Sequence, residues 1–184
     1  MTREFLGDSG RAAASFARKQ EEARQQVEQI YLETRASVGG YLRYLGLPDA
    51  LVEEALQEVY LSFYLELLKG KTIENGKAWL LRVAHNHGVK ARKRDRLFAP
   101  EEPDWSRLVH SEGTPELELL NRERMQRVKE AVGKLSPQQR QCLYLRSEGL
   151  RYREIADTLG IRLSTVNEFL RRAVARLAEV ANEA

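Results

Sequence analysis

Side chains that could catalyse a reaction are few in this sequence and poorly grouped. His85 and His87 stand two positions apart, a spacing that points helical side chains in different directions, and no third metal ligand accompanies them. The only cysteine, Cys142, cannot form an internal disulfide, and its neighbours in the string RQCLYL predict a small buried hydrophobic side chain. The sequence therefore predicts no metal site, no cofactor and no catalytic residue.

A different chemistry, the reading of base edges, is indicated by residues 152–170, YREIADTLGIRLSTVNEFL. Ala156 lets two helices approach closely, and Gly160 can adopt the left-handed backbone of a tight turn. The apolar positions that would fill the shared core are Ile155, Leu159, Ile161, Val166 and Leu170. This pattern is typical of a helix-turn-helix, whose second helix enters the DNA major groove and presents polar side chains there.

The capacity to bind phosphate is concentrated in blocks, although the formal net charge is only +3. Residues 47–68 contain five carboxylates and no lysine or arginine, whereas residues 69–96 contain nine basic side chains against Glu74 and Asp95. Residues 99–118 are again acidic and include three prolines. The blocks predict two basic modules separated by an acidic connector. The alternative for each block is that its charges only form the solvated face of a helix.

The elements that must position these residues are predicted to be helices throughout. Apolar residues recur at helical spacing and no stretch alternates with a period of two, so the fold class is all-α. A length of 184 residues accommodates two helical domains joined by a flexible acidic linker. The predicted boundaries are an N-terminal extension over 1–26, a first domain over 27–98, the linker over 99–115 and a second domain over 116–184.

Local signals mark the ends of several helices. The segment GLPD at 46–49 ends one helix and offers Asp49 as the cap of the next, and Ser136-Pro137 is a strong start signal. Gly39 and Gly40 interrupt an apolar stripe and should weaken the centre of that helix. No apolar run has membrane-spanning length and the N-terminus lacks the pattern of a secretory signal, so cytoplasmic residence is expected.

Three strings in order carry a family resemblance: EEALQEVYLSFY at 53–64, AWLLRVAHN at 78–86, and LSPQQRQCLYLRSEGLRYREIADTLGI followed by STV. The first is similar to an acidic Gln-Glu-Val-Phe-Leu helix, the second to an Ala-Trp-Leu-x-x-Ile-Ala-x-Asn helix, and the third to the second domain of the extracytoplasmic-function sigma factors of bacterial RNA polymerase. Over about residues 27–178, the chain resembles that family.

The resemblance implies a dissociable polymerase subunit that is not itself an enzyme. It would bind core polymerase through the clamp helices of the largest subunit and through the flap, and direct promoter-specific initiation. One domain would read the minus-ten element and assist promoter melting, and the other would read the minus-thirty-five element. The implied partners are core polymerase and promoter DNA, with an anti-sigma factor as a further one.

The residues that match the family's motifs in the first domain fall into two groups. The core-binding group is Glu53, Glu54, Gln57 and Glu58, on an acidic helix that cannot favourably contact phosphates. The minus-ten group, in which a base extruded from the duplex is held beside a basic track, is Lys71, Asn75, Arg82, Asn86, Lys90, Arg92, Lys93 and Arg94. Trp79 could stack on a base, but its place on the apolar stripe favours a core role.

The corresponding group for the minus-thirty-five element is Arg162, Ser164, Thr165, Asn167, Glu168, Arg171 and Arg172, with Arg176 as an additional phosphate-binding candidate. Arg162 stands where the family commonly has a capping serine, so Ser164 or Thr165 would have to cap instead. Asn167, Glu168 and Phe169 replace a lysine, a serine and an arginine. Glu168 could accept from a cytosine amino group or close a capping box with Thr165, and the capping role is favoured.

Two other functions are compatible with parts of the sequence. A dimeric helix-turn-helix regulator would bind DNA without core polymerase, but its first half would normally need alternating strands and helices for a sensing domain. An all-helical metal hydrolase would have to use His85 and His87 without a carboxylate-histidine cluster or a nucleophile motif.

Overall fold

A computed structural model describes residues 5–94 and 126–182 of the chain, with side chains over 14–91 and 126–179. The chain divides into two compact units, Met1–Glu101 and Glu102–Ala184. The described residues form seven helices and no strand, which confirms the predicted all-α class. The predicted acidic linker over 99–115 lies outside the described residues.

The first unit is a three-helix arrangement. Helix α1 spans Phe5–Tyr44, α2 spans Asp49–Leu68 and α3 spans Gly76–Arg94. Each of the three packs on the other two. Buried side chains from all three form the core: Val38, Tyr41, Leu42, Val52, Val59, Phe63, Leu80, Leu81 and Ala84.

Helix α1 runs without a break through Gly39 and Gly40, which were expected to weaken it. A Cβ placed on Gly39 would lie 3.8 Å from a side-chain carbon of Val52 and 3.7 Å from one of Leu56, so this glycine lies where α1 and α2 approach closely. Packing against α2 stabilises the helix here and outweighs the low helix propensity of glycine.

The same helix also crosses the predicted boundary between residues 26 and 27. Ala23, in the predicted extension, is buried with 4% of its surface exposed. Ala23 therefore packs within the first unit, and the described residues before 27 continue the first helix.

The α1–α2 turn is made by the predicted GLPD segment, but its capping differs from the prediction. Gly46 has a φ of 91°, and the backbone N–H of Leu47 donates to the carbonyl of Leu42 at 3.1 Å, which closes the end of α1. Pro48 occupies the N-cap position of α2. The prediction that Asp49 caps α2 is wrong, because Asp49 is the first helical residue and its carboxylate instead accepts from Arg43 Nε at 2.6 Å.

The second unit contains four helices in its described part. Helix α4 covers 126–133, α5 spans Pro137–Ser147, α6 spans Tyr152–Leu159 and α7 spans Leu163–Asn182. The predicted start of α5 is confirmed by a capping box, in which the Gln139 backbone N–H donates to Ser136 Oγ and the Ser136 N–H donates to Gln139 Oε1. The core is formed by Val132, Leu135, Cys142, Leu145, Leu150, Ile155, Val166, Leu170 and Ala173.

Residues 5–94 and 126–182 contain no candidate membrane-spanning helix. None of the helices described there is both long enough and apolar enough to span a bilayer.

Candidate functional site

The acidic face of α2 is open to solvent. Its buried side is formed by Val52, Ala55, Leu56 and Val59, so the four predicted core-binding residues, Glu53, Glu54, Gln57 and Glu58, all project outward. Glu53 Oε1 accepts from Arg35 Nη2 at 2.7 Å, and Glu58 is hydrogen-bonded to His87 Nε2 of α3. These contacts fix two of the carboxylates at the edges of the face and leave all four residues accessible.

Two exposed leucines extend this face and were missed from the sequence. Leu61 is 56% exposed and Leu65 is 46% exposed. They follow Glu54 and Glu58 at helical spacing, so carboxylates and apolar side chains share one side of α2. The sequence did hold a signal for them, because neither leucine fits the buried stripe. We call Glu54, Gln57, Glu58, Leu61 and Leu65 the α2 docking face.

Lys71 and Asn75 both lie in the loop between α2 and α3. Each forms a polar contact with another residue of the first unit. Lys71 Nζ and Lys69 Nζ each lie 2.8 Å from a different carboxylate oxygen of Glu66. Hydrogen bonds from these two ammonium groups lower the pKa of Glu66 to about 2. Asn75 Oδ1 accepts from the backbone N–H of Ala78 at 3.1 Å and so caps α3.

A cavity of about 530 Å³ lies between this loop and α1. Its α1 side includes Lys19, Ala23 and Ile30, and its other walls include Phe63 and Lys71. The cavity therefore combines apolar surface with two ammonium groups and with the carboxylates of Glu22 and Glu33. One of its walls comes from the predicted N-terminal extension, for which the sequence indicated no role.

The exposed surface of α3 carries three of the predicted minus-ten residues in one row. Arg82, Asn86 and Lys90 are spaced four residues apart, which places them on one side of the helix. Arg82 is half-buried, and Asn86 and Lys90 are exposed. The side chains of Arg92, Lys93 and Arg94 lie outside the described residues, although their backbone continues α3.

Trp79 and the two histidines of α3 have internal partners. Trp79 is half-buried and meets Phe63 edge to face, with ring centroids 5.4 Å apart, which supports the core role. His85 Nδ1 lies 3.0 Å from the Tyr41 hydroxyl, and burial lowers the pKa of His85. Within the described part of the chain, no group of three potential metal ligands is present.

The second unit contains the predicted helix-turn-helix in α6 and α7. Gly160 ends α6 with a φ of 65°, the left-handed conformation expected from the sequence. Ile155, Val166 and Leu170 are buried between the helices. The remaining predicted residues lie along α7 and its entry: Arg162, Ser164, Asn167, Arg171 and Arg172 are exposed, and Thr165 and Glu168 are half-buried.

The favoured capping role of Glu168 is wrong. Helix α7 begins at Leu163, so Ser164 and Thr165 lie inside its first turn rather than at the N-cap position. Glu168 does not turn back toward Thr165, because its carboxylate accepts hydrogen bonds from Arg171 and Arg172 further along the helix. Both of these hydrogen bonds are charge-assisted, since they join a carboxylate to a guanidinium group.

Cys142 is fully buried in α5, as predicted. Burial raises the pKa of its thiol to about 11. This cysteine is therefore a core side chain whose thiol stays protonated at neutral pH.

Comparison with known proteins connects this geometry to a family. Residues 125–177 match the family model described as Sigma-70, region 4. The chain is 27% identical over 153 residues to the ECF RNA polymerase sigma factor SigK of Mycolicibacterium vanbaalenii, covering 80% of this chain and 78% of the relative. It is 29% identical over 131 residues to SigK of Mycobacterium ulcerans, covering 66% of this chain and 67% of the relative.

Solved structures share the fold. The sigma factor RpoE of Bartonella quintana, determined in complex with the anti-sigma factor NepR, is similar with a TM-score of 0.58 and 21% identity, over 86% of this chain and 98% of that one. CnrH, determined in complex with the cytosolic domain of CnrY, is similar with a TM-score of 0.56 and 21% identity, over 91% and 95% of the two chains.

Proposed function

Because the chain belongs to the extracytoplasmic-function sigma factors of bacterial RNA polymerase, we propose that its two units share the work of promoter recognition. A sigma factor binds core polymerase and directs it to specific promoters. The roles are assigned from three features found in one chain: an exposed acidic helix, a basic helix beside it and a helix-turn-helix.

The α2 docking face is the proposed contact with core polymerase. Its carboxylates are repelled by nucleic acid, and its exposed leucines are suited to burial against protein. Glu53 lies at the edge of the face, where its ion pair with Arg35 is solvent-exposed. The clamp helices of the largest subunit are the proposed partner.

The proposed minus-ten surface is the row formed by Arg82, Asn86 and Lys90, together with Arg92, Lys93 and Arg94, which follow in the sequence. The cations would neutralise the backbone of the separated strand, and the Asn86 amide can donate to and accept from a base edge. The cavity beside Lys71 supports this role, since a base that leaves the duplex loses stacking energy and needs a surface that replaces it. Asn75 acts there by starting α3, which carries the row.

Helix α7 is the proposed reader of the minus-thirty-five element. Arg162, Ser164 and Asn167 are exposed near its N-terminus, the part of a recognition helix that meets base edges. Arg171 and Arg172 lie one turn further along. The second domain is proposed to extend over 116–184 and the first over 27–98, with a linker over 99–115 between them.

An anti-sigma factor is proposed as an additional partner, because the solved sigma factors with this fold include one bound to such a protein. The chain is proposed to catalyse no reaction itself and to act in the cytoplasm, where bacterial core polymerase meets its template.

Comigration with core polymerase tests the proposed function. The purified chain is mixed with bacterial core polymerase and separated by size-exclusion chromatography, and each fraction is assayed for binding to promoter DNA. We expect a stoichiometric complex whose promoter binding exceeds that of either component alone. A chain that eluted apart from core and bound a palindromic duplex as a dimer would instead be a helix-turn-helix regulator.

A further inference from the structure

Glu168 holds two arginines of its own helix at once. Its Oε2 accepts from Arg171 Nε at 3.2 Å and from Arg171 Nη2 at 3.0 Å. Its Oε1 accepts from Arg171 Nη2 at 3.1 Å and from Arg172 Nε at 2.6 Å. Glu168 precedes Arg171 by three positions and Arg172 by four. This order draws both guanidinium groups toward the N-terminal part of α7.

The carboxylate engages only one edge of each guanidinium. Arginine has five N–H donors, and Glu168 contacts Nε and Nη2 of Arg171 and Nε of Arg172. Among the described residues, no hydrogen bond involves Nη1 of either arginine, so these groups can donate elsewhere. A planar group fixed along one edge can present the other edge in a defined direction, as bidentate recognition of the O6 and N7 acceptors of guanine requires.

The same arrangement makes these arginines poor binders of phosphate compared with Arg162. Hydrogen bonds from Arg171 and Arg172 lower the pKa of Glu168, so its carboxylate is ionised at neutral pH and repels phosphate. In the described part of the chain, no carboxylate forms an ion pair with Arg162. The cations of α7 and its entry therefore fall into two groups. Arg162 can bind a phosphate directly, whereas Arg171 and Arg172 are already paired with the Glu168 carboxylate.

We propose that Glu168 is a positioning residue, which fixes Arg171 and Arg172 so that they read bases of the minus-thirty-five element, while Glu168 itself touches no base. This inference rests on the proposed function of α7 as a DNA reader. Without the carboxylate, each guanidinium would turn to the nearest phosphate, which is present in every sequence and carries no information.

The test uses holoenzyme reconstituted from core polymerase and the full chain, with promoter duplexes in which the upstream element is randomised. The wild-type chain should enrich particular sequences. Glu168→Ala should lower the ratio of preferred to average binding by about tenfold, the contribution of one bidentate base contact. It should also steepen the salt dependence of average binding, because two guanidinium groups become available to phosphates.

A matched control separates this effect from a simple change of charge. Glu130→Gln removes one exposed carboxylate from α4, where it contacts only the Gln126 amide among the described side chains, and should leave the sequence ratio unchanged. Circular dichroism of each variant should match the wild type, since Glu168 and Glu130 contribute nothing to the buried core.

A double-mutant cycle identifies the path of the effect. In an Arg171→Lys and Arg172→Lys background, which keeps both charges but removes the planar forks, Glu168→Ala should cause no further loss of sequence preference. An undiminished loss confined to one base pair would show that Glu168 reads a base directly and would overturn the inference. So would a Glu168→Ala variant with wild-type preference. A wild-type holoenzyme that enriched no sequence would overturn the proposed minus-thirty-five function as well.

Discussion

At the scale of single residues, the first unit contains a half-buried titratable group in a polar contact. His85 is half-buried, with Nδ1 3.0 Å from the Tyr41 hydroxyl and the two rings stacked 6.2 Å apart. Burial lowers the pKa of His85, so folding favours the neutral imidazole. The unfolded chain therefore takes up a proton first as the pH falls below about 6.5.

This linkage gives a prediction for stability. The free energy of unfolding of the first unit should fall as the pH drops from about 6.5 through the lower pKa of folded His85. His85→Gln, which cannot titrate, should flatten that part of the dependence in urea unfolding measured from pH 7.5 to pH 5. His87→Gln should keep the acid loss, and an unchanged slope in His85→Gln would contradict the account.

The turn of the helix-turn-helix depends on the left-handed backbone of Gly160. Gly160 has a φ of 65°, and a Cβ added there would meet no atom within 4 Å beyond its chain neighbours, so Gly160→Ala adds backbone strain without a clash. It should lower the free energy of unfolding of the second unit by about 1–2 kcal/mol. Gly133→Ala, also without a close neighbour and without a positive φ, should be neutral or stabilising. Equal effects of the two variants in thermal unfolding would contradict this explanation.

At the scale of elements, α2 and α3 present opposite chemistry from one packed unit. One side of each helix is in the core, and the other carries either the α2 docking face or the basic row of α3. The hydrogen bond between Glu58 and His87 joins the two exposed surfaces. Because the buried and exposed residues lie on opposite sides of each helix, either exposed surface can be changed without disturbing the buried side chains.

Charge reversal on α2 should weaken the contact with core polymerase. Glu54 is exposed and lies within the α2 docking face, so Glu54→Lys should reduce affinity for core by roughly tenfold through lost complementarity. Fluorescence titration of labelled chain with core polymerase measures the change. Glu28→Lys on the exposed part of α1 is the matched control, and equal losses in both variants would mean that net charge rather than the docking face matters.

Removal of charge from α3 should change the salt dependence of promoter binding. Replacing Lys90, Arg92, Lys93 and Arg94 with glutamine should weaken the promoter complex and make its dependence on salt shallower, by about 0.7 in logarithmic slope for each lost contact to a single strand. Filter binding of the holoenzyme over a range of salt concentrations gives this slope. A weaker complex with an unchanged slope would show that these residues do not bind phosphate.

At the scale of the whole molecule, the features predicted correctly depend on local signals. The Ser136 cap, the Gly160 turn and the buried Cys142 each follow from a few neighbouring residues and from helical periodicity. The incorrect ones depend on competing partners. Asp49 is the first helical residue of α2 and pairs with Arg43, and Glu168 pairs with two arginines rather than capping.

The rest depends on packing between segments distant in sequence. The cavity between α1 and the 69–76 loop, the burial of Ala23 and the continuity of α1 through Gly39 follow from tertiary contacts that periodicity does not encode. The helices and the order of the candidate surfaces could thus be predicted, whereas the packing of Ala23 and the partners of individual side chains could not.

Reconstituted transcription shows whether the chain directs core polymerase to specific promoters. Core polymerase, genomic DNA and nucleotides are incubated with or without the chain, and the 5′ ends of the transcripts are mapped. We expect a defined set of start sites that appears only with the chain, shares upstream sequence elements and is lost with Glu54→Lys at limiting protein. Transcripts identical to those of core alone would contradict it.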